Sequence, residues 1–405
     1  MQSVKVEVVL KKVKAPPKHT IQQSITTYLK CNHIKPGNVI RSFSDAYLQD
    51  FVDCIIIDDV PYCPNMMDVT QFDIHWYIYS PDHSRSMLQN ESTPDGTINI
   101  ATHLILPNIE LINSWENLHY ESEIKHNLLR YAHTMMQFSD SGIDNNIITC
   151  NKVILLHGPP GTGKTSLCKA LAHKLSIIMQ DRYSSAILVE INSHSLFSRY
   201  FSESGKLVTK MFSSIREIIE NEGILVCVLI DEVESLAHAR DQCLSGVEPS
   251  DAIRVVNAVL TQLDQIKTYP NVLILATSNL TKSIDLAFID RADIKQYLGL
   301  PKIPAIYQIY LSCIEELQRT NILEKNVPLA SVNTVMKTEC NKLDNNSRKL
   351  MEICERSVGL SGRSLRKIPF IGHALFSDIK SKNVEDFLIS MEKAVEKEKD
   401  DRINM

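Results

Sequence analysis

Val153-Ile154-Leu155-Leu156-His157-Gly158-Pro159-Pro160-Gly161-Thr162-Gly163-Lys164-Thr165 is an apolar run, then a glycine-rich loop, then the start of a helical pattern that continues from Ser166 to Leu175. Gly158 to Thr165 fits G-x-x-x-x-G-K-[ST], and the strand before it and the helix after it are the context that gives this motif meaning. Glycines at 158, 161 and 163 let the backbone wrap an anion, while successive N–H groups and the helix N-terminus turn positive dipole toward it. Pro159, Pro160 and Thr162 fill the remaining loop positions. Lys164 is placed to reach the β- and γ-phosphates of a nucleotide, and the Thr165 hydroxyl to ligate magnesium, so ATP and Mg2+ are the implied ligands. A phosphate-binding loop alone does not specify hydrolysis.

Working downstream, apolar runs alternate with helical patterns: Ala186 to Val189, Ile224 to Ile230, Val272 to Ala276, and a weaker run at Ile294, Tyr297 and Leu298. With Val153 to Leu156 this predicts a parallel five-stranded sheet with flanking helices over residues 111–300. The run Val226-Cys227-Val228-Leu229-Ile230 ends in Asp231-Glu232. Asp231 is suited to complete a magnesium shell, and Glu232 to act as general base toward an attacking water. An acidic pair at a strand end also serves as a helix cap; its place two α/β units after the phosphate loop favours the hydrolytic reading. A third run ends in Thr277-Ser278-Asn279, putting the Asn279 amide at the carboxyl edge of the sheet, where open α/β folds bind ligands and where turn residues also occur. Arg291, in Asp290-Arg291-Ala292-Asp293, and Arg363, in Gly362-Arg363-Ser364, offer planar, permanently charged forks suited to phosphate charge, although each taken singly reads first as an ordinary surface or ion-pairing residue.

Working upstream, residues 1–110 read as a small α+β module of short strands, Val4 to Val8 and Phe72 to Ile78, separated by turn signals such as Pro36-Gly37 and Pro94-Asp95-Gly96. A helix is predicted over 121–138 from Ile124, Leu128, Leu129, Met135 and Met136 on one face. After Pro301 the pattern is helical, which predicts a lid over 301–405 interrupted at Asp344-Asn345-Asn346-Ser347, with the charged stretch from Glu392 to Asp401 fraying. Asn341-Lys342-Leu343-Asp344 matches a guanine-reading motif but does not follow an apolar strand, so ATP is favoured over GTP.

The 405 residues, 44% hydrophobic and 22% charged, have an ordinary globular composition. A net charge of -5 supplies no basic field for nucleic acid, and no stretch reaches the roughly 18 apolar residues of a membrane span. The ten cysteines contain no C-x-x-C pair and read as free thiols of a reducing compartment.

Together, GPPGTGKTSL from Gly158, IDEVESL from Ile230, TSN from Thr277, DRADIKQY from Asp290 and LSGRSLRK from Leu360 resemble AAA+ ATPases. Within that class they resemble the pachytene checkpoint, or thyroid receptor interactor, family, which remodels HORMA-domain proteins; the likeness is close from about Trp115 onward and weak before it. The resemblance implies that Asn279 is a first sensor, Arg291 a finger reaching the neighbouring subunit's nucleotide, and Arg363 a second sensor on the lid. It implies a homohexamer whose pore loop, Asn192 to Lys206, grips substrate through Tyr200 and Phe201, with Tyr200 standing where some relatives are expected to carry Trp. The polar stretch 238–250 reads as a second pore loop or as a plain solvated one. HORMA-domain clients of the spindle checkpoint or of meiotic chromosome axes, presented by a HORMA-like adaptor and met by residues 1–110, would follow. So would a place in the nucleus, on chromosomes and kinetochores, and in the cytoplasm. The rival reading is a nucleotide-switched ring scaffold without processive unfolding.

Overall fold

The protein is described here as a computed structural model covering residues 3–11, 17–31, 39–57, 73–93, 96–144, 146–191, 204–234, 251–279, 286–325, 327, 329–337, 343–378 and 381–404. Eleven strands among them form two sheets. Strands β1 (Ser3–Leu10), β2 (Val39–Ile40), β3 (Val52–Ile57) and β4 (Asp73–Tyr79) make one, in the order β2-β3-β1-β4. The second has the order β11-β7-β10-β9-β8-β6-β5 and combines β5 (Met87–Thr93), β6 (Gly96–Leu106), β7 (Val153–His157), β8 (Ser185–Ile191), β9 (Ile224–Ile230), β10 (Val272–Ser278) and β11 (Ile294–Tyr297).

The expected five parallel strands are present as β11-β7-β10-β9-β8. Because helices cover both faces, these strands carry apolar residues on both sides. Alternation sorts them: Val226, Val228 and Ile230 join one core layer, Leu225, Cys227 and Leu229 the other. The first layer is closed by α5 (Ser204–Ile219) and α6 (Asp251–Ile266), through Met211, Phe212, Ile215, Val259 and Leu263. The second is closed by α3 (Ser122–Asp140) and α4 (Lys164–Ile178), through Leu128, Met136, Leu167 and Leu171. At about 1.5–3 kcal/mol for each fully buried large aliphatic side chain, either layer outweighs any single polar contact near the site.

The sheet has two further strands. β6 pairs antiparallel with β8, from Ala101 opposite Ile191 to Leu106 opposite Ala186, and β5 completes the hairpin. Residues 87–106, read from sequence as part of an amino-terminal module ending near 110, are therefore hydrogen-bonded into the larger sheet. In the smaller sheet, α1 (Lys18–Cys31) lays Ile21, Ile25 and Leu29 on Val4, Val6 and Val8, beside the short α2 (Ala46–Phe51). The opposite face, with Val9, Cys54, Ile56 and Tyr79, packs on Ile177 near the end of α4.

The carboxyl-terminal helices are α7 (Leu286–Ile289), at the end of the large sheet, then α8 (Ile303–Arg319), α9 (Val332–Lys337), α10 (Asn345–Arg356), α11 (Gly362–Leu375) and α12 (Val384–Ile403). The last five bury a separate core of Tyr307, Tyr310, Leu350, Ile353, Leu365, Ile368 and Phe387. The polar break at 344–347 is a helix start, with the Asp344 carboxylate accepting from the Ser347 amide at 2.9 Å. The charged tail is helical, with α12 running to Ile403; Met391, Ala394 and Val395 share a buried face that anchors it up to Val395. Cys54, Cys168, Cys227 and Cys354 are buried free thiols, and burial pushes Cys227 up to about 12.

Candidate functional site

At the carboxyl edge of the large sheet, β7 delivers the loop 158–163 and α4 begins at Lys164. Gly158 has φ +146, and a Cβ there would stand 2.1 Å from the Leu298 carbonyl oxygen, so the position accepts no other residue. Thr162 Oγ1 ties the loop by donating to the Pro159 carbonyl at 3.0 Å, while Pro160 faces solvent. Gly163 caps α4 without any side-chain hydrogen bond, so the first-turn N–H groups are not occupied by a capping side chain. Lys164 is buried and donates to the carbonyls of Gly158 at 3.0 Å and Pro159 at 2.8 Å. Burial draws its pKa below the ordinary lysine range, against the pull of Glu234, Asp231 and Glu232.

The strand ends beside the loop are knotted together. Asp231 Oδ1 accepts from Thr165 Oγ1 at 2.7 Å and also from Thr277 Oγ1. Thr277 in turn accepts from the Glu232 amide at 3.1 Å, and its carbonyl accepts from the Val233 amide at 2.9 Å. Asn279 Nδ2 donates to Glu232 Oε1 at 3.0 Å. Glu232 sits at φ +56, a left-handed conformation that costs a non-glycine residue about 1–3 kcal/mol and persists where surroundings over-determine it. The sequence reading therefore placed Lys164, Thr165, Asp231, Glu232 and Asn279 in one cluster, and the structure brings them together. It missed Thr277 and Glu234. A threonine ending the aliphatic run Val272 to Ala276 was a signal, because a buried hydroxyl must find a partner.

Two further segments touch the loop. Arg363, at the start of α11, donates its amide to the Gly161 carbonyl at 3.0 Å. Its guanidinium is near enough to disfavour the charge on Lys164. Ser361 caps α11 and lies against Gly161, where a Cβ would come within 2.8 Å of Ser361 Oγ. From the other side Tyr120 donates to the Thr162 carbonyl at 3.0 Å. Arg366 on α11 donates to the Asn117 carbonyl, joining the lid to the linker between β6 and α3, residues 107–121. Burial, with Lys125 and Arg366 nearby, pushes the adjacent His119 down to about 4, so its imidazole is neutral at physiological pH.

Arg291 lies elsewhere. Its fork grips Asp264, Nε to Oδ1 at 3.1 Å and Nη2 to Oδ2 at 2.7 Å, and Nη1 donates to the Ala287 carbonyl at 2.6 Å. Hydrogen bonding from Arg291 holds the Asp264 carboxyl below its usual range. Arg291 and Asp264 line a small cavity with Val153 and Phe288. Val153 opens β7 and Gly158 follows its end, so the strand alone spans about 16 Å between the two at 3.3 Å per residue. The structure does not bring Arg291 to its own chain's phosphate loop. Tyr200, Phe201 and the stretch 238–250 lie outside the described residues.

The chain is matched by three family models: the TRIP13 N-terminal domain over residues 1–84, the ATPase family associated with various cellular activities (AAA) over 154–300, and the TRIP13-like AAA+ ATPase lid C-terminal domain over 302–399. Pachytene checkpoint protein 2 homologs resemble it along nearly its whole length. The Rattus norvegicus protein is 47% identical over 98% of this chain and 93% of its own. The Homo sapiens protein is 45% identical over 99% and 94%. Among solved structures, C. elegans PCH-2 superposes with a TM-score of 0.81 at 33% identity, over 98% of this chain and 99% of that one. A chain of the E. coli MS115-1 HORMA:CdnC:Trip13 complex shares the fold at a TM-score of 0.53 and 17% identity, over 72% and 94%.

Proposed function

Since the chain belongs to the pachytene checkpoint protein 2 family of AAA+ ATPases, we propose that it uses ATP hydrolysis, as a homohexamer, to remodel HORMA-domain clients. The observation that carries the hydrolytic half is the unbroken hydrogen-bonded path from Thr165 through Asp231 and Thr277 to Glu232 and Asn279. It ties the phosphate loop to the ends of β9 and β10, so the groups that would meet nucleotide and water are mutually oriented before substrate arrives.

In this reading Lys164 contacts the β- and γ-phosphates, and Glu232, oriented by Asn279, takes the proton of the attacking water. Thr165 and Asp231 offer the hard oxygen ligands that magnesium prefers; when bound, the ion neutralises phosphate charge. Arg363 reports nucleotide to the lid through its bond to Gly161. Arg291, remote from its own loop, serves the neighbouring protomer, with Asp264 fixing the orientation of its fork.

Remodelling is the finer half of the proposal. The E. coli complex brings a Trip13 together with a HORMA protein, and we extend that pairing to this chain. Clients are met through the amino-terminal module, presented by a HORMA-like adaptor and gripped in a central pore by Tyr200 and Phe201. The site of action is the nucleus, at chromosomes and kinetochores, and the cytoplasm. Glu232→Gln tests the proposal: hydrolysis should fall by about 10²–10⁴ while ATP is retained, leaving an ATP-loaded ring holding HORMA client. Client conversion at an undiminished rate in that variant would leave only the switched scaffold.

A further inference from the structure

Glu234 follows Glu232 by two residues and is 8% exposed. Its Oε1 accepts from the backbone N–H of Asn279 at 3.0 Å, and its Oε2 is buried without a hydrogen-bond partner among the described residues. Asn279 is the first residue beyond β10, so its N–H has left the strand ladder. The acceptor it finds is the carboxylate of Glu234. The same residue uses its side-chain amide to hold Glu232 at 3.0 Å. Keeping a carboxylate in such a place is costly unless it is bonded or opposed by charge. Of the three carboxylates that sustain the charge of Lys164, Glu234 is the strongest.

We infer that Glu234 is a positioning residue for ATP hydrolysis: it anchors the Asn279 backbone beyond the end of β10 and so aims the Asn279 amide at Glu232. The inference rests on Asn279 and Glu232 serving hydrolysis, and a Glu232→Gln protein that hydrolyses ATP normally would remove that premise separately.

Three full-length Glu234 variants, with Asn279→Ala and one double variant beside them, test it, with steady-state hydrolysis read against affinity for a fluorescent ATP analogue. Glu234→Ala and Glu234→Asp, which lose or shorten the acceptor, should lower kcat about tenfold or more while the dissociation constant moves less than about threefold. Glu234→Gln keeps a neutral acceptor of the same length and should retain at least about a third of kcat. Because Glu234 acts through Asn279, adding Glu234→Ala to Asn279→Ala should cost nothing further. The inference is overturned by an unchanged kcat in Glu234→Ala, by Glu234→Gln falling as far as Glu234→Asp, by affinity lost in step with kcat, or by losses that multiply in the double variant. Should Glu234→Ala not fold, the order of the Gln and Asp variants decides.

Discussion

Lys174→Met is the substitution whose consequence follows most directly from the geometry. Lys174 sits on α4, ten residues past Lys164, and its ammonium lies 2.5 Å from Glu7 Oε1 on β1 and 3.0 Å from Glu116 Oε1 in the linker. The Lys174 and Glu7 side chains are 2% and 3% exposed and Glu116 16%, so solvent screens little. Removing the cation strands two carboxylates in a dry interface, and breaking a buried pair in this way costs about 3–5 kcal/mol. At roughly 2–4 °C per kcal/mol for a unit of this size, the first thermal transition should fall by about 6–20 °C. Neutralising the partners as well, in Glu7→Gln/Lys174→Met/Glu116→Gln, should recover most of that loss, because the penalty belongs to the orphaned charge. Burial opposes ionisation of Glu116, but Lys174, as charge and hydrogen-bond donor, outweighs it and holds the carboxyl below its ordinary value of 4.5. A depressed carboxyl stabilises the fold above that value and loses its contribution as pH falls through the folded one. The difference between wild type and Lys174→Met should therefore be full only while the stranded carboxylates of the variant stay ionised, begin to shrink above 4.5, where burial without the ammonium makes them take up protons, and keep shrinking as pH falls through the depressed wild-type value. Differential scanning fluorimetry across pH reads both effects. A single-variant shift under about 2 °C, or a triple variant no better than the single, would refute the reasoning.

Gly158→Ala should abolish ATP-analogue binding, since its Cβ meets the Leu298 backbone; Gly142→Ala, at φ +63 with open space around it, should cost only about 1–2 kcal/mol in urea unfolding. Thr277→Val, nearly isosteric, removes the hydroxyl between Asp231 and the Glu232 amide, and should cost about 1–3 kcal/mol of stability and lower kcat with little change in ATP affinity. Arg291→Ala should keep ATP affinity and lose hydrolysis by about 10³ or more. Mixing it with Glu232→Gln should restore turnover, because mixed rings contain interfaces with both residues intact; a mixture as inactive as its components would refute action across the interface.

The parts legible from sequence were those whose signal is local. Ile224 to Ile230 is uniformly apolar because both faces of β9 are covered, and the phosphate loop is a contiguous string whose glycines answer to backbone geometry within a few residues. What stayed hidden depends on distant pairing. β6 alternates over Thr97 to Ile100 and then runs through Leu104-Ile105-Leu106, a pattern that does not say which sheet it joins. Its partner is β8, with Ala101 opposite Ile191. Glu234 was hidden because its partner is a backbone amide far along the chain, just beyond the end of β10. Arg291 was recognisable by type, but its present partner Asp264 comes from α6, and no spacing rule connects them. Glu7 lies between Val6 and Val8 in an alternating strand, a pattern that ordinarily marks a solvated face, yet that face is the one pressed on α4.

These contacts also decide which parts of the molecule can move separately. α4 is a rod of about 22 Å, at 1.5 Å per residue over fifteen residues. The linker is fastened to both ends of it: Glu116 to Lys174 toward the far end, and Tyr120 to Thr162 just before the near end. The smaller sheet is fastened to the far end as well, through Glu7 and the packing of Val9, Ile56 and Tyr79 on Ile177. Amino-terminal sheet, linker and α4 thus close a ring of contacts, two of them buried ion pairs, and displacing one member drags the others. The lid is held differently. Beside the loop it hangs on the Arg363 amide to Gly161 and on Arg366 to Asn117, and the nearby Lys302–Glu121 pair is exposed on both sides and contributes little. Replacing two hydrogen bonds with contacts to a nucleotide is a change of a few kcal/mol, within the reach of ligand binding, whereas parting the Glu7–Lys174–Glu116 node costs at least as much for one end of the rod alone. Nucleotide exchange should therefore work against the lid hinge, with the amino-terminal sheet riding with the phosphate loop.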